Sequence, residues 1–247
     1  MSFNSPQQPR PGIPRAHPVT LGYAGPATGR GQPPEPVGNP LLSIWLKPRR
    51  TMAWLLYYDP KKWLYLLPCA AILLSVVSNV LGIDKGPRGT AGVLTGGTLL
   101  VALGIGATVG LGIGLLIYLI FTSVVKIVCG WFGGTGTIES IRMASSWGMI
   151  PSIASSIVSL PGVLIAYVML SSGITDDKLM TAGITLLAFG IPALVLGIWG
   201  IFTMSNTVAE ASRFSTAWLG FAAILVSGVL IFAVLFGLIF GLIMLIR

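Results

Sequence analysis

The 247-residue chain is 54% hydrophobic and only 9% charged, against roughly 25% charged in ordinary globular domains, which excludes a fold solvated by water alone. Its net charge of +8 does not mark a nucleic-acid binder. Eight of the fifteen basic residues (Arg10, Arg15, Arg30, Lys47, Arg49, Arg50, Lys61 and Lys62) precede the first apolar run, and no continuous basic face follows.

Residues 1–40 hold ten prolines and six glycines with few apolar side chains, so they cannot bury enough area to offset the entropy of ordering and read as a disordered cytoplasmic tail. Residues 41–62 change character. Leu41, Leu42, Ile44, Trp45, Trp54, Tyr57 and Tyr58 surround Lys47, Arg49 and Arg50, a mixture suited to the headgroup layer, where aromatics straddle the boundary and cations meet anionic lipid. One or two short interfacial helices are expected there, with Pro48 opening the second. Trp45, Lys47, Arg49, Arg50 and Trp54 are the expected interface or lipid contacts, with anionic lipid at the cytoplasmic face.

Residues 63–247 carry five apolar stretches, at 63–83, 94–125, 143–170, 180–203 and 217–246. A crossing needs about 20 helical residues, so the expectation is an all-α polytopic bundle of five transmembrane helices. The 94–125 stretch would be about 48 Å long against a core of roughly 30 Å, and so must tilt, bend or project. Pro151, Pro161 and Pro192 are expected kinks. Five crossings with the N-terminus inside and the C-terminus outside put eleven basic residues inside and four outside, in line with the positive-inside rule.

No Asp, Glu, Lys, Arg or His lies centrally in a predicted span, which argues against a proton relay. The single histidine, His17, falls in the tail, and Cys69 and Cys129 lie in or beside apolar runs. No catalytic constellation, cofactor or metal site is therefore expected. The glycines at 104, 106 and 110 lack the strand and acidic residue of a dinucleotide fingerprint.

Small residues carry the packing signals. Gly106, Gly110 and Gly114 share one helix face and allow close approach of another backbone. Ser152, Ser155 and Ser159 form a weakly polar stripe that either packs or lines a groove for lipid or solute. In the inner loops, Glu139 with Arg142, and Asn206 and Glu210 with Arg213, are spaced to cap helix ends or to make a contact site. A second copy of the chain or another membrane protein is the expected partner.

The chain resembles the Yip family of five-pass membrane proteins, and its bacterial branch in particular. The resemblance runs from Asn39-Pro40 and the Ile44-Trp45-Leu46-Lys47-Pro48-Arg49-Arg50-Thr51 segment through Gly133-Gly134-Thr135-Gly136-Thr137 and Arg142 to Trp147, Pro151, Trp199 and Ser205. It implies five passes, a cytoplasmic N-terminal region, a bacterial cytoplasmic membrane and a noncatalytic role in membrane organisation, trafficking-like processes or partner recruitment. Eukaryotic members interact with Rab-type GTPases, but the acidic, leucine-bearing N-terminal motif of those members has no counterpart here. A transporter, channel or lipid-translocating protein using the serine-rich third span is the alternative.

Overall fold

The computed structural model describes residues 34–59, 61–83, 96–171 and 175–246, as helices joined by turns. The expected tail lies outside the described residues up to residue 33, as does the segment carrying Asp84, Lys85 and Arg88. The first helix, α1 (Pro40–Leu46), starts where Asn39 Oδ1 accepts from the Leu41 N–H at 3.0 Å, a side-chain cap for an otherwise orphaned donor. Lys47 alone separates it from α2 (Pro48–Tyr58), and a proline opens each helix at the position where a missing N–H costs nothing. The others are α3 (Leu66–Ile83), α4 (Gly96–Trp131), α5 (Ile138–Gly148), α6 (Ile150–Ser171), α7 (Asp176–Ala211) and α8 (Ala217–Ile246).

Four stretches, not five, are long and apolar enough to cross a membrane among the described residues: Leu103–Trp131, Ile138–Met169, Asp176–Ala211 and Ala217–Leu245. The expected first span at 63–83 is instead a turn at 61–65 followed by α3, whose apolar stretch among the described residues, Leu66–Asn79, is shorter than those four. The physical reason lies some 80 residues away. Trp147 Nε1 donates to the Lys62 carbonyl at 3.0 Å and Ser146 Oγ donates to the Leu64 carbonyl at 2.6 Å. Trp63 sits at φ 55°, a left-handed conformation that a helix does not accept. The expected opposite placement of the two termini rested on five crossings and falls with that count.

The expected third span lies almost wholly within the stretch Ile138–Met169, which a turn at Met149 interrupts. Helix α5 stops at Gly148, and Pro151 stands in the first turn of α6, where its missing N–H is harmless. From Gly96 onward the 94–125 stretch is one unbroken helix that runs on to Trp131.

Burial separates the molecule into two parts. The core gathers Ile44, Met52 and Leu55 from α1 and α2, Val125 and Val128 from α4, Ile141, Met143 and Trp147 from α5, and Val208 from α7, all fully buried. These residues form a headpiece at one end of the bundle. At 1.5 Å per residue, the 36 residues of α4 and of α7 make helices of about 54 Å, well beyond a hydrocarbon core of roughly 30 Å. The excess is what the headpiece uses. Away from it α7 turns Ile184, Leu187, Ile191, Leu194 and Ile198 outward, and on α8 every residue from Phe232 to Leu245 is exposed, as a lipid-facing surface requires.

Candidate functional site

The headpiece concentrates the buried polar groups. Thr51, Ser140, Ser145, Ser146, Thr203, Ser205, Asn206, Thr207, Glu210 and Ser212 are all buried there. Arg49 is its clasp. From the first turn of α2 its Nε meets Glu210 Oε2 at 3.3 Å, Nη1 donates to the Ser215 carbonyl at 3.0 Å, and Nη2 donates to the Phe214 carbonyl at 2.5 Å. A guanidinium suits this position because its rigid fork can serve three acceptors, and the carbonyls just past the end of α7 are electron-rich. Helix α2 is thereby fastened to the end of α7 and the turn before α8.

A second seam joins the 133–137 segment to the same place. Gly133 is left-handed at φ 81°, a conformation open to glycine at no steric cost. The Gly134 N–H then bonds the Cys129 carbonyl at 2.8 Å and the Thr135 N–H bonds the Ser212 carbonyl at 3.1 Å. At Gly136 any Cβ would overlap the Ala211 carbonyl oxygen. Thr137 caps α5, its Oγ1 accepting from the Ser140 N–H at 3.2 Å. The third seam is aromatic: Trp147 stacks on Trp63 with centroids 5.5 Å apart. Beside it the Tyr118 hydroxyl lies 2.7 Å from the Arg142 carbonyl, to which it donates, and 2.8 Å from Ser146 Oγ.

The residues singled out from sequence fall into distinct settings. Arg49 is a clasp within the headpiece. Arg50 is exposed and pairs with Glu35 at 2.6 Å. Lys47 is exposed, while Trp54 is half-buried against Tyr58. The carbonyl of Trp45 accepts from Trp199 Nε1 at 3.1 Å, tying α1 to α7. Glu139 is exposed in the first turn of α5, and Arg213 is left-handed at φ 62° in the turn after α7. Asn206 is spent on its own helix, donating to the Phe202 carbonyl at 2.9 Å.

Gly110, Gly114, Ser152 and Ser155 lie at contacts between helices. A Cβ on Gly110 would lie 2.5 Å from Val76, and one on Gly114 2.8 Å from Ile72, so that seam abuts α3, and Gly106 on the same face is half-buried. Along α6, Ser155 Oγ donates to the Ala193 carbonyl at 2.6 Å, and Ser152 stands opposite Gly200, where a Cβ would come within 2.5 Å of its Oγ. Ser159 donates within its own helix to the Ser156 carbonyl at 3.0 Å.

Several residues that matter here carry little sequence signal. Tyr118 and Ser146 sit in apolar or mixed runs, and Gly220, whose Cβ would overlap the Ser205 carbonyl, looks like any membrane glycine. No group of three His, Cys, Asp or Glu able to hold a metal ion occurs among the described residues.

A family model for the Yip1 domain matches residues 42–239. The match starts within α1 and ends within α8, so it takes in almost the whole headpiece and the helices above it. No curated protein and no solved structure matches the chain. With the matched segment covering well over half of the 247 residues and four helices long enough to cross a bilayer, the chain belongs to the Yip1 family and is a polytopic membrane protein.

Proposed function

We propose that this protein is a noncatalytic organiser of its membrane that recruits a protein partner through the headpiece. The observation that carries this reading is the division of labour within the headpiece. Most of its polar side chains are engaged with one another or with backbone, as in the Arg49–Glu210 clasp, while large apolar side chains remain outside. Leu42 and Leu46, one turn apart on α1, are 70% and 82% exposed, and Trp131 at the end of α4 is 66% exposed. Reactive chemistry needs free, converging polar groups. Recruitment needs a rigid frame presenting apolar anchors, which this is.

Photocrosslinkers placed at Leu46 and Trp131 of the full chain in native membranes test the reading. A discrete, reproducible protein adduct from either position is expected, and its absence from both overturns the proposal. Transport through a groove beside the third span has less support, because Ser155 is bonded across to α7. Flux of ions, solutes or lipid reporters in sealed liposomes would revive it.

A further inference from the structure

Among the described residues, Arg142 carries the one buried nitrogen of a charged side chain that lacks a hydrogen-bond partner. Its guanidinium makes no hydrogen bond and no ion pair with any described residue, and its Nε is fully buried without a partner. Arg49 has Glu210, Arg50 has Glu35, and Lys62 has Asp59 at 3.7 Å. A buried guanidinium nitrogen left unpaired is costly, since arginine keeps its charge under all ordinary conditions. A cation held in this way calls for an anion.

The surroundings say which kind. Arg142 lies on α5 one turn before Ser146, whose Oγ bonds the Leu64 carbonyl just ahead of α3. Four residues of α5 are a rise of about 6 Å, so the backbone of Arg142 lies within about that distance of the level at which the apolar α3 begins. The Tyr118 hydroxyl joins the two sides, donating to the Arg142 carbonyl at 2.7 Å and lying 2.8 Å from Ser146 Oγ, which bonds the carbonyl of Leu64, the residue before Tyr65. Tyr65 is 48% exposed, its hydroxyl makes no hydrogen bond among the described residues, and Leu66 beside it is 60% exposed. Trp63 and the Lys62 ammonium, 5.9 Å from the Trp63 ring centroid, flank the same turn. Neither Glu139, three residues earlier on α5, nor Asp59, which pairs with Lys62, makes an ion pair with Arg142. An unpaired guanidinium, a free phenol and an exposed apolar helix start together offer an anion its hydrogen bonds and an acyl chain its wall.

We infer that Arg142 and Tyr65 form a binding site for the phosphate of an anionic phospholipid, at the junction of the headpiece with α3. The inference rests on membrane embedding and not on a protein partner, so it stands or falls separately from the crosslinking result. It is tested by native mass spectrometry of the full chain released from detergent with phosphatidylglycerol, phosphatidylcholine or inorganic phosphate added. The wild type should retain phosphatidylglycerol in preference to phosphatidylcholine, and Arg142→Gln should lower that preference about tenfold, the size expected of a charge-assisted pair. Tyr65→Phe should lower it about twofold to fivefold, in keeping with one neutral hydrogen bond, and Arg142→Lys should restore part of it. Thr181→Ala, in the first turns of α7 at the end away from the headpiece, should leave it unchanged.

Retention of phosphatidylglycerol by Arg142→Gln at the wild-type level overturns the site. So does displacement of the lipid by inorganic phosphate at equal concentration, which would show recognition of phosphate alone. Should Arg142→Gln fail to fold, the Tyr65→Phe and Arg142→Lys series decides. An unchanged preference in both Tyr65→Phe and Arg142→Lys overturns the inference.

Discussion

At the scale of single residues, one guanidinium that the sequence suggests as a lipid contact is held by acceptors within the protein. Arg49 reads as an interfacial cation because it lies among aromatics, and nothing local distinguishes it from Arg50. What separates them is 161 residues away: Glu210 and the carbonyls of Phe214 and Ser215 converge on Arg49 alone. Arg49→Ala should destabilise the detergent-solubilised protein by about 2–3 kcal/mol, because charge-assisted bonds are lost and the buried Glu210 is left without its partner. Arg49→Lys should recover less than half of that, since an ammonium cannot reproduce a three-way fork. Thermal unfolding of the three proteins in one detergent measures both effects, and equal stability of the lysine variant and the wild type would show that only charge matters.

At the scale of elements, the prolines and glycines divide into those whose role is legible in the sequence and those whose role is not. Pro40 and Pro48 open α1 and α2, as a first-turn proline should, and the Gly110–Gly114 face receives a neighbouring helix. Other glycines differ by neighbours that sequence does not reveal. A Cβ at Gly104 would meet nothing within 4 Å, whereas at Gly136 and Gly220 it would overlap the carbonyls of Ala211 and Ser205. Gly136→Ala and Gly220→Ala should each cost about 1–3 kcal/mol, since the obstruction is backbone and cannot rotate away. Gly104→Ala should stay within about 1 kcal/mol of the wild type, on the stabilising side, because an exposed helical glycine gains propensity when replaced. Unfolding midpoints that rank the three alike would remove the distinction. The turn at 61–65 escapes a reading of the sequence for a related reason. Its residues suit a helix start, and only the donors of Ser146 and Trp147 hold their carbonyls away from one.

At the scale of the whole molecule, hydropathy reports aversion to water but not which solvent replaces it. Residues 118–129 of α4 and 203–211 of α7 continue the same two helices as the lipid-facing segments above them, yet protein in the headpiece covers most of them. That is why the long apolar stretches are legible as an anomaly while the headpiece that explains them is not. If the headpiece is one cooperative unit, loosening any seam should loosen the others, because stability in such units is shared. Hydrogen–deuterium exchange of Arg49→Ala in detergent should then show faster exchange in α2, in α5 and in the 133–137 segment together. Helix α6, joined to α7 by Ser155 and by the close approach of Gly162 to Phe189, should exchange as in the wild type. Faster exchange confined to α2 would mean that the clasp fastens one helix and that the remaining core holds without it. The clasp and the glycine seam meet at residues 210–214, since the clasp takes Glu210 and Phe214, the 133–137 segment takes Ala211 and Ser212, and Ser140 of α5 donates to the Ala211 carbonyl at 3.3 Å. A disturbance at Arg49 therefore reaches the glycine-rich segment through a turn both of them share.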